Sequence, residues 1–283
     1  MYVEFGVENG TQCNTRLLRE SCGFSGLLMD GSHFNESINL KEEYITVDNI
    51  LSFFDKYRVP SHFDVLSIDL DMFDWWILER ILNKGAYRPR VIVVEVNPTL
   101  GHYTDTNSDA FSHFNSLPLV VTHPHHTDQT FWDHSRYFGG NPKSFQLLGE
   151  TYGYELLYCE SCGVNCFLVQ QSVLPESCRS PPPPRIHRPC YYHARGDNST
   201  AYGHAPDSLK RQPLLLTEDL LRLDVHALPA EALTAFSLAR GALEQEIGDD
   251  DGYGEDALDF KLFFLVNFLI FVSFLYFFCY VAS

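Results

Sequence analysis

The sequence predicts an α/β fold over residues 1–172: a doubly wound, mostly parallel sheet that finishes with an antiparallel strand. Three observations predict it. Short, strongly apolar runs recur at Tyr2–Phe5, Gly26–Met29, Val65–Ile68 and Val91–Val94, each followed by an acidic residue or a glycine turn. Helix-like stretches separate them, at Gln12–Ser21, Val47–Tyr57 and Trp75–Lys84. Strands alternating with helices favour a parallel sheet with helices on both faces. Finally, Tyr154–Tyr158 and Val164–Val169 flank a short turn containing Ser161, Cys162 and Gly163. That is a hairpin, and it makes the last strand antiparallel.

The elements follow from local chemistry. Tyr2–Phe5 runs straight into Gly6, where an extended strand can turn sharply. Val47–Tyr57 opens after Thr46 and places Ile50, Leu51 and Phe54 on one face, the period of a half-buried helix. After Val173 the character changes. Pro181–Pro184 is a four-proline run, followed by polar sequence without periodicity. Residues 173–260 therefore read as a linker, extended near the prolines and largely disordered beyond them. Leu214–Leu223 and Leu228–Leu243 have the spacing of short amphipathic helices without a second core, and Gly248–Asp259 is strongly acidic.

Residues 261–283 are different again. Leu262–Ala282 is 21 consecutive residues without a charge, rich in Phe and Leu. Crossing a bilayer takes about 20. A buried core helix would need a domain around it, and none remains. The expectation is a transmembrane helix that inserts after synthesis, as a tail anchor, leaving the preceding domain cytosolic. Lys261 beside the span agrees weakly with that orientation.

Charge narrows the function classes. Lys plus Arg number 20 against 37 Asp plus Glu, a net charge of -17. Such a chain repels phosphates, so nucleic acid is not an expected partner, and anionic lipid surfaces attract it little. The N-terminus reads at once as a strand and carries no basic-then-apolar leader. Eight cysteines, most in or beside apolar runs, are not the framework of a small secreted domain. A reducing, cytosolic setting is expected. The sequons at Asn9, Asn35 and Asn198 would be acceptors in a lumen, and a glycan on Asn9 would block the turn described next.

Two clusters carry chemistry. Glu4-Phe5-Gly6-Val7-Glu8-Asn9-Gly10 sits where a strand turns into a helix. Glycines there let the backbone approach a ligand, and a helix N-terminus offers N–H groups. The pattern is weak alone, since a tight turn without ligand explains it equally well. Asp30, ending the second strand, strengthens it, because an acid there can take both hydroxyls of a ribose. Dinucleotide and S-adenosylmethionine sites share this order.

The other cluster is Asp69-Leu70-Asp71-Met72-Phe73-Asp74, at the end of an otherwise apolar strand. Ligands of open α/β sheets bind beyond the carboxyl ends of the strands. Asp69 and Asp71 fall there, and Glu95 and Asn97 occupy the same place on the next strand. Oxygen-bearing side chains converging on one edge suit a divalent cation such as magnesium, or a general base. Asp74 fits a helix cap.

These runs, with Leu28-Met-Asp-Gly, Arg88-Pro-Arg-Val-Ile-Val-Val-Glu-Val-Asn-Pro, Trp132-Asp-His-Ser-Arg-Tyr-Phe-Gly-Gly and Gly153-Tyr-Glu-Leu-Leu-Tyr-Cys-Glu, resemble an uncharacterised group similar to FkbM-type S-adenosylmethionine methyltransferases. The resemblance covers residues 1–172 and implies a sheet of the class I methyltransferase type. It implies that Glu4, Gly6 and Gly10 line the methionine end of the cofactor and Asp30 its ribose. Asp69 would lie beside the sulfonium and the acceptor, with Asp71. Three departures stand out: Glu8 replaces a second glycine, Met72 replaces a small residue and threatens to crowd the site, and covering helices before the first strand are missing.

Other residues invite weaker readings. Cys159, Cys162 and Cys166 have zinc-like spacing, but they lie across a hairpin whose strands need inward apolar side chains, so packing is the expectation. His123, His125, His126, Trp132, Asp133 and His134 lie in a long segment of the kind that shapes substrate sites. Arg195-Gly196-Asp197 is read as chance. The expected function is a membrane-anchored methyltransferase that modifies an oxygen of a small-molecule or glycan acceptor. Its rivals are a catalytically degenerate fold acting as a membrane-tethered interaction module, and a nicotinamide-dependent oxidoreductase.

Overall fold

A computed structural model of the chain describes residues 1–97, 100, 117–127, 131–135, 137–159, 164–174, 209, 211, 213–216 and 221. The proline run, Arg195–Asp197, Leu228–Leu243, the acidic stretch, Cys162 and the predicted span Leu262–Ala282 lie outside the described residues. Among the described residues no helix is long and apolar enough to cross a membrane.

The domain is a mixed α/β structure around a mostly parallel seven-stranded sheet. In chain order its elements are β1 (Tyr2–Phe5), α1 (Arg16–Ser21), β2 (Gly26–Asp30), β3 (Leu40–Glu42), α2 (Ile50–Lys56), β4 (His62–Ile68), α3 (Asp74–Leu82), β5 (Arg88–Glu95), β6 (Leu119–Val120), α4 (Pro142–Thr151), β7 (Tyr154–Cys159), β8 (Asn165–Gln170) and β9 (Leu214–Leu215). The large sheet runs β3-β2-β1-β4-β5-β8-β7, and β6 pairs with β9 in a separate ribbon. β8 runs antiparallel to both neighbours. The last strand in the chain order of this sheet is therefore antiparallel, as expected, but it is wedged between β5 and β7 and does not form the edge.

The two faces of the sheet divide the core. Val3, Phe5, Leu27, Met29, Leu66, Ile68, Ile92 and Val94 join Ile50 and Phe54 of α2, the buried side of α3, and Phe145 and Leu148 of α4. Tyr2, Leu28 and Leu40 point the other way, towards Leu18 of α1 and Phe24. This alternation is why β1 is buried at every position and still serves two layers. Trp75 and Trp76 anchor α3. Both are fully buried, and each indole N–H has a carbonyl partner at 3.0 Å, Ser144 for Trp75 and Val121 for Trp76. Each indole buries apolar area worth on the order of 5 kcal/mol, without leaving a polar atom unsatisfied.

Helix α4 starts where Asn141 accepts the Ser144 N–H at 3.0 Å and Pro142 takes the first turn. The same Asn141 accepts from Leu119 N and donates to Leu117 O, tying β6 to the helix. Three expectations are corrected. β3 was not foreseen, being three residues long. α1 starts at Arg16 and not Gln12, because the preceding amides are held by Glu4. Leu214–Leu223, read as an amphipathic helix in a largely disordered linker, starts with β9, while Leu221 is helical. Leu214, Leu215, Leu216 and Leu221 are all buried in the domain, since the open edge of β6 outcompetes helix propensity.

The cysteines are also corrected. Cys159 and Cys166 face each other in the β7–β8 register and are joined as a disulfide, with Cα atoms 3.9 Å apart. Both are buried in the core, as the packing expectation has it, and the bond between them runs against the expected reducing setting.

Candidate functional site

β1, β2, β4 and β5 are parallel, so Phe5, Asp30, Ile68 and Glu95 end on one edge of the sheet. The strand order turns back between β1 and β4, the kind of switch point at which open α/β sheets bind ligands in a crevice beyond the strand ends. Every residue singled out for chemistry falls on this edge or just beyond it.

The glycine turn closes the crevice floor. Gly6 has φ +68°, and a β-carbon there would lie 1.6 Å from the Asp69 carbonyl oxygen, so only glycine fits under β4. Gly10 has φ +79°, and its N–H bonds to Val7 O at 2.8 Å. Glu8, where a second glycine was noted as missing, also has positive φ, +47°, and its side chain is exposed.

Glu4 lies at the end of β1 with its side chain bonded to the loop that follows. Its buried carboxylate accepts the backbone N–H of Asn14 at 2.7 Å and of Thr15 at 3.0 Å, the Thr15 hydroxyl at 2.5 Å, and Ser67 Oγ at 3.2 Å. These amides lie just ahead of α1, so Glu4 fixes the loop that leads into the helix.

Asp30 is almost buried at the end of β2. Its Oδ1 accepts Ser32 N at 2.9 Å, Ser32 Oγ at 3.1 Å and His33 Nδ1 at 2.8 Å. Its Oδ2 accepts Glu8 N at 2.8 Å and so braces the glycine turn. Burial opposes its charge, but the His33 and Ser32 bonds win and hold its carboxyl below the usual carboxylate range. Oδ2 retains acceptor capacity, Oδ1 is saturated. His33 and Ser32 were missed in the sequence, although Asp30-Gly31-Ser32 carries the spacing of an Asx turn.

Across the crevice, one carboxylate oxygen each from Asp69, Asp71 and Glu95 lies within 4.8 Å of the others. The predicted convergence of three acids from β4 and β5 is present. Asn97 is buried beside them and structurally committed, its Nδ2 donating to Phe138 O at 2.9 Å and its backbone N–H to Gly140 O at 2.8 Å. Asp71 has φ +66°, and Met72 N bonds back to Leu70 O at 2.7 Å. Asp71 therefore sits at the apex of a three-residue turn of the strained, positive-φ kind. Met72 does not crowd the site: its side chain packs away from it, with Leu119, Val121, Tyr137, Phe138 and Leu215.

Burial and like charge act together here. Burial, then Asp71, Glu4 and Glu8, raise the Asp69 carboxyl to about 6. Burial and Asp69 raise Asp74 to about 8, against the Leu70 N–H that it accepts at 2.7 Å. Asp74 thus pins the turn before α3, in place of the simple helix cap expected of it. Glu95 is raised by burial and by Asp69, Asp74 and Asp71. Asp74 Oδ2 and Glu95 Oε2 are buried with no hydrogen-bond partner among the described residues. Four clustered carboxyls cannot all ionise, and this edge calls for protons or a cation.

The histidine-rich segment lies over the same end of the sheet. His123 is buried against Trp76 at 4.6 Å, and His125 reaches Asp48 at 2.8 Å. Trp132 stacks on Phe138 and near His134, and Asp133 accepts from Arg211 at 2.7 Å. Arg211 was not foreseen, because nothing in the sequence shows that the chain returns. No protein-family model matches the chain, and no curated protein matches it.

Proposed function

We propose that the chain is an S-adenosylmethionine-dependent methyltransferase of the class I type, transferring a methyl group to an oxygen of a small-molecule or glycan acceptor. The observation that carries this reading is the charge of the switch-point crevice. Asp69, Asp71, Glu95 and the exposed Glu8 lie at it. The pyrophosphate of a dinucleotide would meet repulsion from these acids. A sulfonium cofactor is drawn to a negative edge. The sheet order supports the same reading, because dinucleotide folds run 3-2-1-4-5-6 in parallel, without an antiparallel strand inserted beside the fifth.

In this reading Asp30 Oδ2 accepts a ribose hydroxyl, and Gly6 and Gly10 let the methionine moiety approach the backbone. The sulfonium supplies the driving force of transfer. Asp69, with a carboxyl near 6, accepts the proton of the acceptor hydroxyl as the new carbon–oxygen bond forms and the carbon–sulfur bond breaks. The oxygen donors and the partnerless Glu95 Oε2 fit a hard cation such as magnesium. In that alternative to Asp69 as the base, Asp69, Asp71 and Glu95 would hold it, with Asn97 beside them, and it would lower the pKa of an acceptor oxygen. The segment 262–282 would tether the enzyme to a membrane with the domain in the cytosol.

Titration with S-adenosylhomocysteine and with NAD tests the reading. Binding of the first alone supports it, and binding of NAD alone replaces it with an oxidoreductase. A second reading, a catalytically degenerate fold acting as a membrane-tethered interaction module, is favoured by the saturation of Asp30 Oδ1. Binding of neither ligand would select it.

A further inference from the structure

The return of the chain at residues 211–221 adds more than a strand. β9 pairs antiparallel with β6, Leu119 opposite Leu215 and Val120 opposite Leu214, and Leu216 N bonds to Pro118 O at 2.9 Å. Arg211 fixes the entry: its Nη2 reaches Asp133 Oδ2 at 2.7 Å and Ser135 Oγ at 3.0 Å, and its guanidinium lies 4.5 Å from the Tyr137 ring centre. Leu214, Leu216 and Leu221 enter the main core. Leu215 alone enters the small apolar cluster that contains Met72, Leu119, Tyr137 and Phe138.

Met72 follows Asp71 directly, and its N–H closes the strained turn that presents Asp71 to Asp69 and Glu95. Its carbonyl accepts Gly139 N at 3.0 Å, while Gly140 O and Phe138 O hold Asn97 at the end of β5. A turn with a non-glycine residue at positive φ persists only where its surroundings over-determine it. Here those surroundings are Met72 in its apolar socket and the 138–140 backbone, and Leu215 forms part of the socket.

We propose that Arg211 and β9 form a positioning element of the site: by packing Leu215 against the Met72 cluster they hold the Asp71 turn in the shape that brings Asp71 to Asp69 and Glu95. The segment lies far along the chain, yet it sets the geometry of the acceptor side while the glycine turn and Asp30 stand apart from it. This rests on the acidic edge being the working face, and the test separates the two ideas.

The full chain in detergent is compared with Leu215→Asp, Leu215→Met and Arg211→Ala by hydrogen exchange, with manganese binding followed in parallel. Leu215→Asp and Arg211→Ala should raise exchange of a peptide spanning residues 69–75 at least tenfold and leave residues 26–30 unchanged. Leu215→Met should stay near the parent. Manganese affinity should fall at least tenfold in the first two variants. Arg211→Ala introduces no charge into the core, so it decides the matter if Leu215→Asp does not fold. Unchanged exchange at 69–75 in a variant whose residues 211–221 have become exchangeable overturns the proposal, as does a rise spread evenly over the domain. If the parent binds no manganese, the reading of the edge as a cation site fails, and the exchange pattern still decides the role of the segment.

Discussion

Gly6 lies so close beneath Asp69 that a β-carbon on it would fall 1.6 Å from the Asp69 carbonyl oxygen. The glycine turn is thus packed directly against the backbone of Asp69. Gly6→Ala meets strand backbone, which cannot give. It should cost about 3 kcal/mol or more and yield little soluble protein. At Gly10 the nearest obstacle is the tip of Ile38, at 2.5 Å, which can rotate away. Gly10→Ala should cost about 1–2 kcal/mol, mainly from φ +79°. Urea unfolding of both variants checks the order, and equal midpoints would count against it.

Asp30 governs cofactor affinity in the proposed reading. Asp30→Ala should weaken S-adenosylhomocysteine by tenfold to a hundredfold, the loss of about 1.5–3 kcal/mol of charged hydrogen bonding. His33→Ala should do less, because it loosens the acid without removing it. Calorimetry giving equal affinity for the parent and Asp30→Ala would remove the ribose assignment.

Asp69 should carry turnover and not cofactor binding. Asp69→Asn should abolish transfer while S-adenosylhomocysteine affinity changes little. With its carboxyl near 6, the parent's kcat should rise with pH through about 6 and then level off. A chelator-stripped enzyme assayed against added magnesium or manganese tells base from metal, since full activity without added metal leaves Asp69 acting alone. Activity that survives Asp69→Asn would would sink both roles.

The raised carboxyls also set how stability depends on pH. Asp69, Asp74 and Glu95 hold protons in the folded state at pH values where the unfolded chain has lost them. Folding then binds protons, so stability falls as pH rises from about 4 through the folded values of Asp69 and Asp74, about 6 and about 8, and Glu95 acts in the same direction. Asp74→Asn keeps an acceptor for the Leu70 N–H and should flatten the upper part of that fall. The depressed acids, Asp30, Glu43, Asp64 and Asp133, act in the opposite sense and only as pH drops below the usual carboxylate range. Melting temperatures across pH 5–8 that rise towards pH 8 would contradict the assignment.

The membrane proposal has its own assay. A chain ending at Asp259 should stay soluble, while the full chain should pellet with membranes and resist carbonate extraction. Protease added to intact vesicles should digest the domain, and protection of it, or a glycan on Asn198, would reverse the topology. A domain cut near residue 175 is the wrong control, since it discards Arg211 and Leu214–Leu216.

What the sequence made legible follows from what is local. β1, β2, β4 and β5 announce themselves as apolar runs, and the placing of Asp69, Asp71 and Glu95 follows once parallel strands share a carboxyl edge. The partners of Glu4 were not legible, because its side chain turns to Asn14 and Thr15, a choice made by the loop after it and not by its own strand. Met72 looked obstructive because its direction depends on the turn at Asp71. β9 was invisible: three leucines after Pro213 fit a helix as well as a strand, and only the exposed edge of β6, far back in the chain, decides between them.

That ribbon has a consequence for synthesis. Strands β1 to β5 can pair as soon as they leave the ribosome, but β6 waits for a partner made after residues 175–208. At ribosomal rates of about 5–20 residues per second, the delay is of the order of several seconds. Through that interval the edge of β6 stands open and the Met72 socket lacks Leu215. The nascent domain therefore assembles β1 to β5 first, and completes the apolar socket beside the Asp71 turn only when Leu215 arrives.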